Sequence, residues 1–533
     1  MVDVVVIGGG GAALCAALAA REEGASVLLL SKTSLGFGNC TAYSGGNFTL
    51  GVEGIDPEVH AARTRKSGRF INNSELLATL AQNAPAAVVG LQKYGVKMDI
   101  GRGWVSVAKY ATKKIMAGVA FTLPLVHALK EKDVQVRERV IVTELLVGSE
   151  RCEGLELFDL ATGKMEQVAA GAVVVATGGA GQLFHRTDNP ARTTGDGYNL
   201  LYQAGAALQD MEFVQFFPLG FADAELPGWY IPLKLVDQAP LRNNLGEEFL
   251  RAKFPQWGVE SGAQAELFAR DRAAVTVAKE WVAGRGAYLH LQEIQVADWE
   301  EGTLLADLRR LASGKIEMQR APVAVAPTQH FFCGGVVINS DGQTEVPGLF
   351  ACGEVTGGIH GANRVGGNAL SELVVFGKRT GHAAALYARR ISPHQGKLPA
   401  GNTEARLQRW KMSAQGQKPA AIKERLQKLS SKYLGVLRHR QGLETMLHHL
   451  EGLVAEMKNI QISKPIEFME AVELENLLFT GKVVSKAALL REESRGVHYR
   501  EDFPEEDNDN WLQNIVICPG QAGIPRLERV AVK

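Results

Sequence analysis

At 533 residues the chain exceeds what a single hydrophobic core serves, and about three domains are expected. Its 58 Lys and Arg balance 58 Asp and Glu, so no net field gathers nucleic acid or an anionic membrane surface. Six widely spaced cysteines form no CxxC pair, which argues against a zinc ribbon, a self-contained iron–sulfur cluster or a disulfide framework. Val173–Ala176 is far too short an apolar run to span a bilayer, and no cleavable apolar leader precedes the opening strand. The expectation is a soluble, cytoplasmic protein of a reducing compartment, with no metal of its own, no nucleic-acid partner and no direct membrane insertion.

The β-branched run Asp3–Ile7 lacks a polar face, as does a strand buried on both sides of a parallel sheet. Gly8-Gly9-Gly10-Gly11-Ala12-Ala13 then fits GxGxxG/A and opens the Ala/Leu-rich helix AALCAALAAREEG. SVLLLS is a second buried strand and closes a βαβ unit. In such a unit the glycines bring backbone N–H groups close to a pyrophosphate at the helix N-terminus, which marks Gly8, Gly10, Ala12 and Ala13. The acidic residue that often follows for the ribose is missing; Ser31-Lys32 stand there, and the serine hydroxyl can serve instead.

Beyond it, SLGFGNCTAYSGGNFTLG (34–51) has the composition of a ligand-lining loop. Helical patterns occupy about 75–94 and 121–132, a strand meander covers 134–159, and GAVVVATGGAG returns to the first sheet. From 222 to 325 the character changes, with Trp229, Trp257, Trp281 and Trp299 among charged helices, which predicts an inserted domain. VPGLFACGEVTGG resumes the glycine-punctuated style, and 403–500 is strongly helical and charged. Three glycine-ended strands far apart in sequence suit an extended cofactor, FAD rather than NAD.

Four segments carry a resemblance: His360–Gly381 (HGANRVGGNALSELVVFGKRTG), Asn189–Leu208, Pro327–Asn339 and Ala471–Trp511. In order and through nearly the whole chain they resemble the succinate dehydrogenase and fumarate reductase flavoproteins, a family whose wider membership includes L-aspartate oxidase and the α chain of adenylylsulfate reductase. The resemblance implies an α/β fold: a Rossmann-like FAD-binding domain (1–221 and 326–395), an inserted α+β capping domain (222–325), and a C-terminal helical domain with a tail (403–533). It also implies hydride exchange between flavin N5 and a carbon of a dicarboxylate, with a proton moved at the neighbouring carbon.

Position by position, Arg270 matches the family's proton-donating arginine, and His330 and Arg364 match its carboxylate-binding pair. Plainer roles stand beside these: a surface charge for Arg270, a satisfied histidine for His330, a salt bridge for Arg364. Asn39, Thr41, Ser44, Gly45, Gly46, Ile141, Ala176, Thr177, Gly178, Asp196, Gly353, Glu354, Ala369 and Leu370 join Arg364, Ser31 and Lys32 as the expected cofactor shell. The departures matter as much. FVQFFPL places Phe217 where the family has a substrate-binding histidine, and Leu219 where it has a polar neighbour. The family's Thr-Glu-Gly triplet is missing from Ile231–Phe249, where Asp237 and Gln238 are the nearest polar candidates. Asn39 stands in the place of the flavin-linking histidine, so a noncovalent FAD of lower potential is implied. Cys40, in the loop facing the flavin, is a redox candidate; Cys333 and Cys352 read as small buried hydrophobes.

The expected activity is an FAD-dependent oxidoreductase acting on a carboxylate-bearing C–C bond, with a small carboxylate substrate other than standard fumarate or succinate. An iron–sulfur protein subunit is the expected partner, through which any membrane association would run. The alternatives are an electron-transfer flavoprotein subunit of an iron–sulfur redox complex and an adenylylsulfate reductase-like flavoprotein.

Overall fold

A computed structural model describes residues 2–107, 116–223, 225–295, 299–300, 303–312, 315–391, 398–411, 416–520 and 525–533. The apolar run Val2–Ile7 is a central strand of a seven-stranded sheet. It lies parallel to Val27–Ser31 on one side and to Lys164–Val175 on the other, with Gln135–Glu138 beyond Val27–Ser31. Leu349–Ala351 pairs parallel with Lys164–Val175. The meander and the returning strand, separate in the sequence reading, share this one 12-residue strand. Its first half pairs antiparallel with Cys152–Asp159 and its second half parallel with Val2–Ile7. The switch from KMEQ to GAVVV along it is the change from a half-exposed to a fully covered ladder.

The consequence is a shared edge. Val2–Ile7, Lys164–Val175 and Leu349–Ala351 point the same way and each ends in a glycine-rich turn, so three distant sequence segments meet at the carboxyl end of the sheet. Helix Gly11–Glu22 packs against helix Asn368–Arg390. A Cβ at Gly381 would sit 2.1 Å from the Ala16 carbonyl oxygen, so only glycine allows the backbones to approach this closely.

A second apolar cluster, drawn from Leu219 to Val325, lies around a four-stranded antiparallel sheet. Its strands Val214–Phe221 and Val323–Phe332 pair with each other, so the segments leading into and out of this unit form one ribbon. That ribbon carries Phe217 and His330 to the sheet edge. Helices Pro419–Tyr433, Arg440–Met457 and Pro465–Leu490 dominate the C-terminal region. Past them, the β-branched QNIVIC and RLERVA form a hairpin, Gln513–Cys518 with Arg526–Ala531, that joins a sheet with Leu208–Gln209. Arg438, Arg491, Arg495 and Arg500 are fully buried at this junction, with Arg491 bound to Glu212 at 2.6 Å and Arg495 to Glu493 at 2.8 Å.

Candidate active site

A cavity of about 580 Å³ runs along the sheet edge, within the ~300–1,000 Å³ usual for cofactor and substrate pockets. At its inner wall Gly8 adopts φ +138°, and a Cβ there would lie 2.2 Å from the Ala176 carbonyl oxygen. The turn therefore needs glycine to bring the strand end, the helix N-terminus and Ala176 together. The N-cap residue Gly10 supplies no side-chain cap to helix Gly11–Glu22, and its first amide, on Gly11, donates to Thr41 Oγ1 at 3.1 Å. Thr177 Oγ1 is buried on the same wall without a hydrogen-bond partner among the described residues. A helix N-terminus that its N-cap residue leaves uncapped, beside an orphaned hydroxyl in a glycine cradle, fits a pyrophosphate-containing cofactor.

At the far end of this wall Ser31 donates to the Thr33 carbonyl oxygen at 2.7 Å. Lys32 Nζ contacts Thr194 Oγ1 and Asp196 at 2.6 Å and Glu473 at 2.8 Å. Burial alone would push the Asp196 carboxyl up, but the Lys32 charge and three hydrogen bonds hold it below the ordinary value. Glu354 accepts from the Phe332 amide at 3.0 Å, and burial raises its carboxyl to about 7. Asn39 accepts from the Ala42 amide at 3.0 Å and so caps the short helix Cys40–Tyr43. Burial pushes the Cys40 thiol well up, and the Glu354 charge adds to it, so the thiolate that redox work needs is disfavoured.

The opposite end is cationic and aromatic. Arg270 begins helix Arg270–Val282 and is 5% exposed, not a surface charge. Its Nε donates to the Glu266 carbonyl oxygen at 3.2 Å while Nη1 is buried without a hydrogen-bond partner among the described residues. Arg364 is equally buried, makes no ion pair among the described residues, and leaves Nε unpartnered. Burial, with Arg270 nearby, brings its pKa down to about 10. His330 Nδ1 lies 2.6 Å from Asp188 Oδ2, and Nε2 has no hydrogen-bond partner among the described residues. Burial lowers the His330 pKa against the opposing pull of Asp188, so the neutral ring donates through Nδ1 and keeps an Nε2 lone pair. Phe217, 2% exposed, lies beneath Arg270 with Cζ 4.7 Å from the ring centroid, and 5.0 Å from the Tyr230 ring.

Every expected site residue lies on the cavity wall except Ala13, Leu219, Asp237 and its exposed neighbour Gln238. Ala13 is wholly buried behind Gly8. Leu219 belongs to the second apolar cluster: the ladder slips between Phe217 and Gly220, so the two side chains two positions apart lose their common face. Asp237 is exposed and caps helix Gly262–Phe268, accepting from the Gly262 amide at 2.6 Å and the Ala263 amide at 3.1 Å. Neither stands in for the missing triplet. Asp188, Tyr230 and Glu266, absent from the residues expected from sequence, also lie on the wall. Asp188 immediately precedes the matched stretch that begins at Asn189, Glu266 is one helical turn before Arg270, and Tyr230 stands in the aromatic pair of GWYIP.

The chain matches an FAD binding domain over residues 3–370 and a fumarate reductase flavoprotein C-terminal family over 423–533. A protein of Methanocaldococcus jannaschii, named an uncharacterized FAD-dependent oxidoreductase, is 33% identical over 516 residues, 92% of each chain. A subunit of the fumarate reductase (CoM/CoB) of Methanothermobacter marburgensis is 32% identical over 515 residues, again 92% of each. The chain belongs to the fumarate reductase and succinate dehydrogenase flavoprotein family. Among solved structures, a variant of Escherichia coli quinol fumarate reductase superposes with a TM-score of 0.88 at 26% identity, over 100% of this chain and 97% of that one. This flavoprotein is an FAD-dependent oxidoreductase, and its α/β fold with a C-terminal helical domain is the family's. No helix among its described residues is long and apolar enough to cross a membrane.

Proposed function

We propose that the protein moves a hydride between FAD and a C–C bond adjacent to a carboxylate, on a substrate other than standard fumarate or succinate. The observation that carries this reading is the pair of buried guanidiniums, Arg270 and Arg364, each with an unpartnered N–H at the cavity that holds the glycine cradle. Two desolvated cations with no ion pair among the described residues call for an anionic ligand. FAD, when bound, supplies the two-electron chemistry. Arg364 and His330 would hold the carboxylate. Arg270, its pKa lowered by burial, would pass a proton to the carbon beside the one that gains hydride, while Phe217 and Tyr230 exclude water. The inserted unit (222–325) would serve as a cap that presents Arg270 to the cofactor domain (1–221 and 326–395), with 403–533 as the C-terminal domain.

Relatives named as subunits support a partner that exchanges electrons, and an iron–sulfur protein is the partner chemistry proposed. Asn39, occupied as a helix cap and lacking an imidazole, supports a noncovalent flavin. Acid precipitation is expected to release all the FAD to the supernatant; flavin retained in the pellet would overturn that. Reduced holoprotein is expected to be reoxidised, without oxygen, by at least one enoate and slowly by fumarate. Fumarate reoxidation as fast as by any other enoate would remove the substrate claim. Failure with every carboxylate, together with an iron–sulfur protein that co-purifies, would favour an electron-transfer role.

A further inference from the structure

The cationic end of the cavity has an aromatic floor. The Phe217 ring lies 5.0 Å from Tyr230 and 5.5 Å from His330. Tyr230 stacks on Trp229 at 6.0 Å and 18°, and Tyr43 lies 5.5 Å from Trp229. All of these rings line the cavity, and so do Leu267 and Phe268, which are 43% and 54% exposed. Exposed apolar side chains of this size on a cavity wall that also carries buried rings mark a surface that an apolar ligand covers. Phe217 offers no hydrogen-bond donor, so a carboxylate placed over it would lose its hydration without a partner.

Charge points the same way. The cations Arg270 and Arg364 share their end of the cavity with the carboxylates of Asp188 and Glu266. Asp188 already binds His330. One substrate carboxylate fits Arg364 and His330, with Arg270 beside it as the proton donor; a second negative charge at this end would lie beside Asp188 and Glu266. A flat π-system, by contrast, can stack on the Tyr230 and Phe217 rings and pass out along Leu267 and Phe268.

Resting on the reading above as a carboxylate-bond oxidoreductase, we propose that the substrate is a 2-enoate with a single carboxylate and an aryl substituent, or its saturated form. In the reducing direction C3 gains a hydride and C2 one proton, so the double bond becomes single. The two electrons leave the reduced cofactor, which is oxidised, and no group departs from the substrate.

The test uses holoprotein. Reduced protein is mixed anaerobically with trans-cinnamate, crotonate or fumarate, and oxidised protein is titrated with 3-phenylpropanoate or succinate while the flavin spectrum is followed. Trans-cinnamate is expected to exceed fumarate and crotonate at least tenfold in kcat/KM, and 3-phenylpropanoate to bind at least tenfold tighter than succinate. Phe217→His is expected to move the cinnamate-to-fumarate ratio at least tenfold toward fumarate. Should that variant not fold, Tyr230→Leu reads the same wall, with 3-phenylpropanoate weakened at least fivefold more than succinate. Crotonate or fumarate matching cinnamate would overturn the aryl assignment and leave the carboxylate reading standing. No reoxidation by any of the three, with no spectral change, would overturn both. A cinnamate preference that neither variant alters would overturn the role given to this wall.

Discussion

Asp188 and His330 are 142 positions apart in sequence and 2.6 Å apart in space. The pairing fixes which imidazole nitrogen is left for the cavity, and it opposes the burial that pulls the His330 pKa down. Asp188→Asn removes the raising influence and leaves burial and the two arginine charges, so the His330 pKa must fall further. In a pH–rate profile the limb due to His330 is expected to move to lower pH, with FAD content unchanged. A limb that stays in place would mean that Asp188 only positions the ring. Phe217 shows the limit of substitution reading at this scale. The sequence reveals an apolar residue where the resemblance implies a polar one, but its contact with Arg270 and Tyr230 comes from the ribbon that turns it inward.

Among the elements, helix Pro465–Leu490 matters to the cofactor although it lies outside the sheet edge. Its Glu473 is 1% exposed and accepts from Lys32 at 2.8 Å and Arg192 at 2.7 Å, so it anchors the wall beside the second strand. Glu473→Gln keeps the shape but removes the charge that two cations share, at a cost of ~1–3 kcal/mol. The expected result is a lower melting temperature and weaker FAD retention on gel filtration; unchanged flavin content would show that Lys32 needs only Asp196. Ser31-Lys32 was legible as a departure from the acidic pattern. That Lys32 answers to a helix some 440 residues later was not, because no local periodicity records a tertiary ion pair.

For the whole molecule, cofactor and fold are linked. FAD binds the folded chain, so free FAD at a hundredfold its Kd should add about 2.7 kcal/mol of stability and raise the melting temperature of apoprotein. Apoprotein should also show a pH signature from Glu354. Its carboxyl is raised from 4.5 to about 7 by burial, so between those values the folded chain holds a proton that the unfolded chain has lost. Stability from this group is complete below about 4.5 and falls as pH rises toward 7, by up to about 1.4 kcal/mol per pH unit. Differential melting of apoprotein across this range, with Glu354→Gln as the flat control, measures it. Stability from this group that rises with pH would contradict the buried, protonated carboxyl.

The sequence by itself determined the βαβ cradle and the three glycine-ended strands, and the family resemblance singled out Arg270, His330 and Arg364, which line the cavity. These rest on local signals: a run of Val and Ile with no polar face, fixed glycine spacing, and motif order along the chain. Tertiary structure decided where the side chains of a half-familiar motif go. A ladder slip sent Leu219 into the second core, and free helix amides drew Asp237 away as a cap. Asp188, Tyr230 and Glu266 came to the wall through long-range pairing that carries no periodic trace. A strand or a glycine turn is specified by its neighbours in sequence, whereas a substrate wall is specified by residues that become neighbours only after the sheet, the ribbon and the helices have packed.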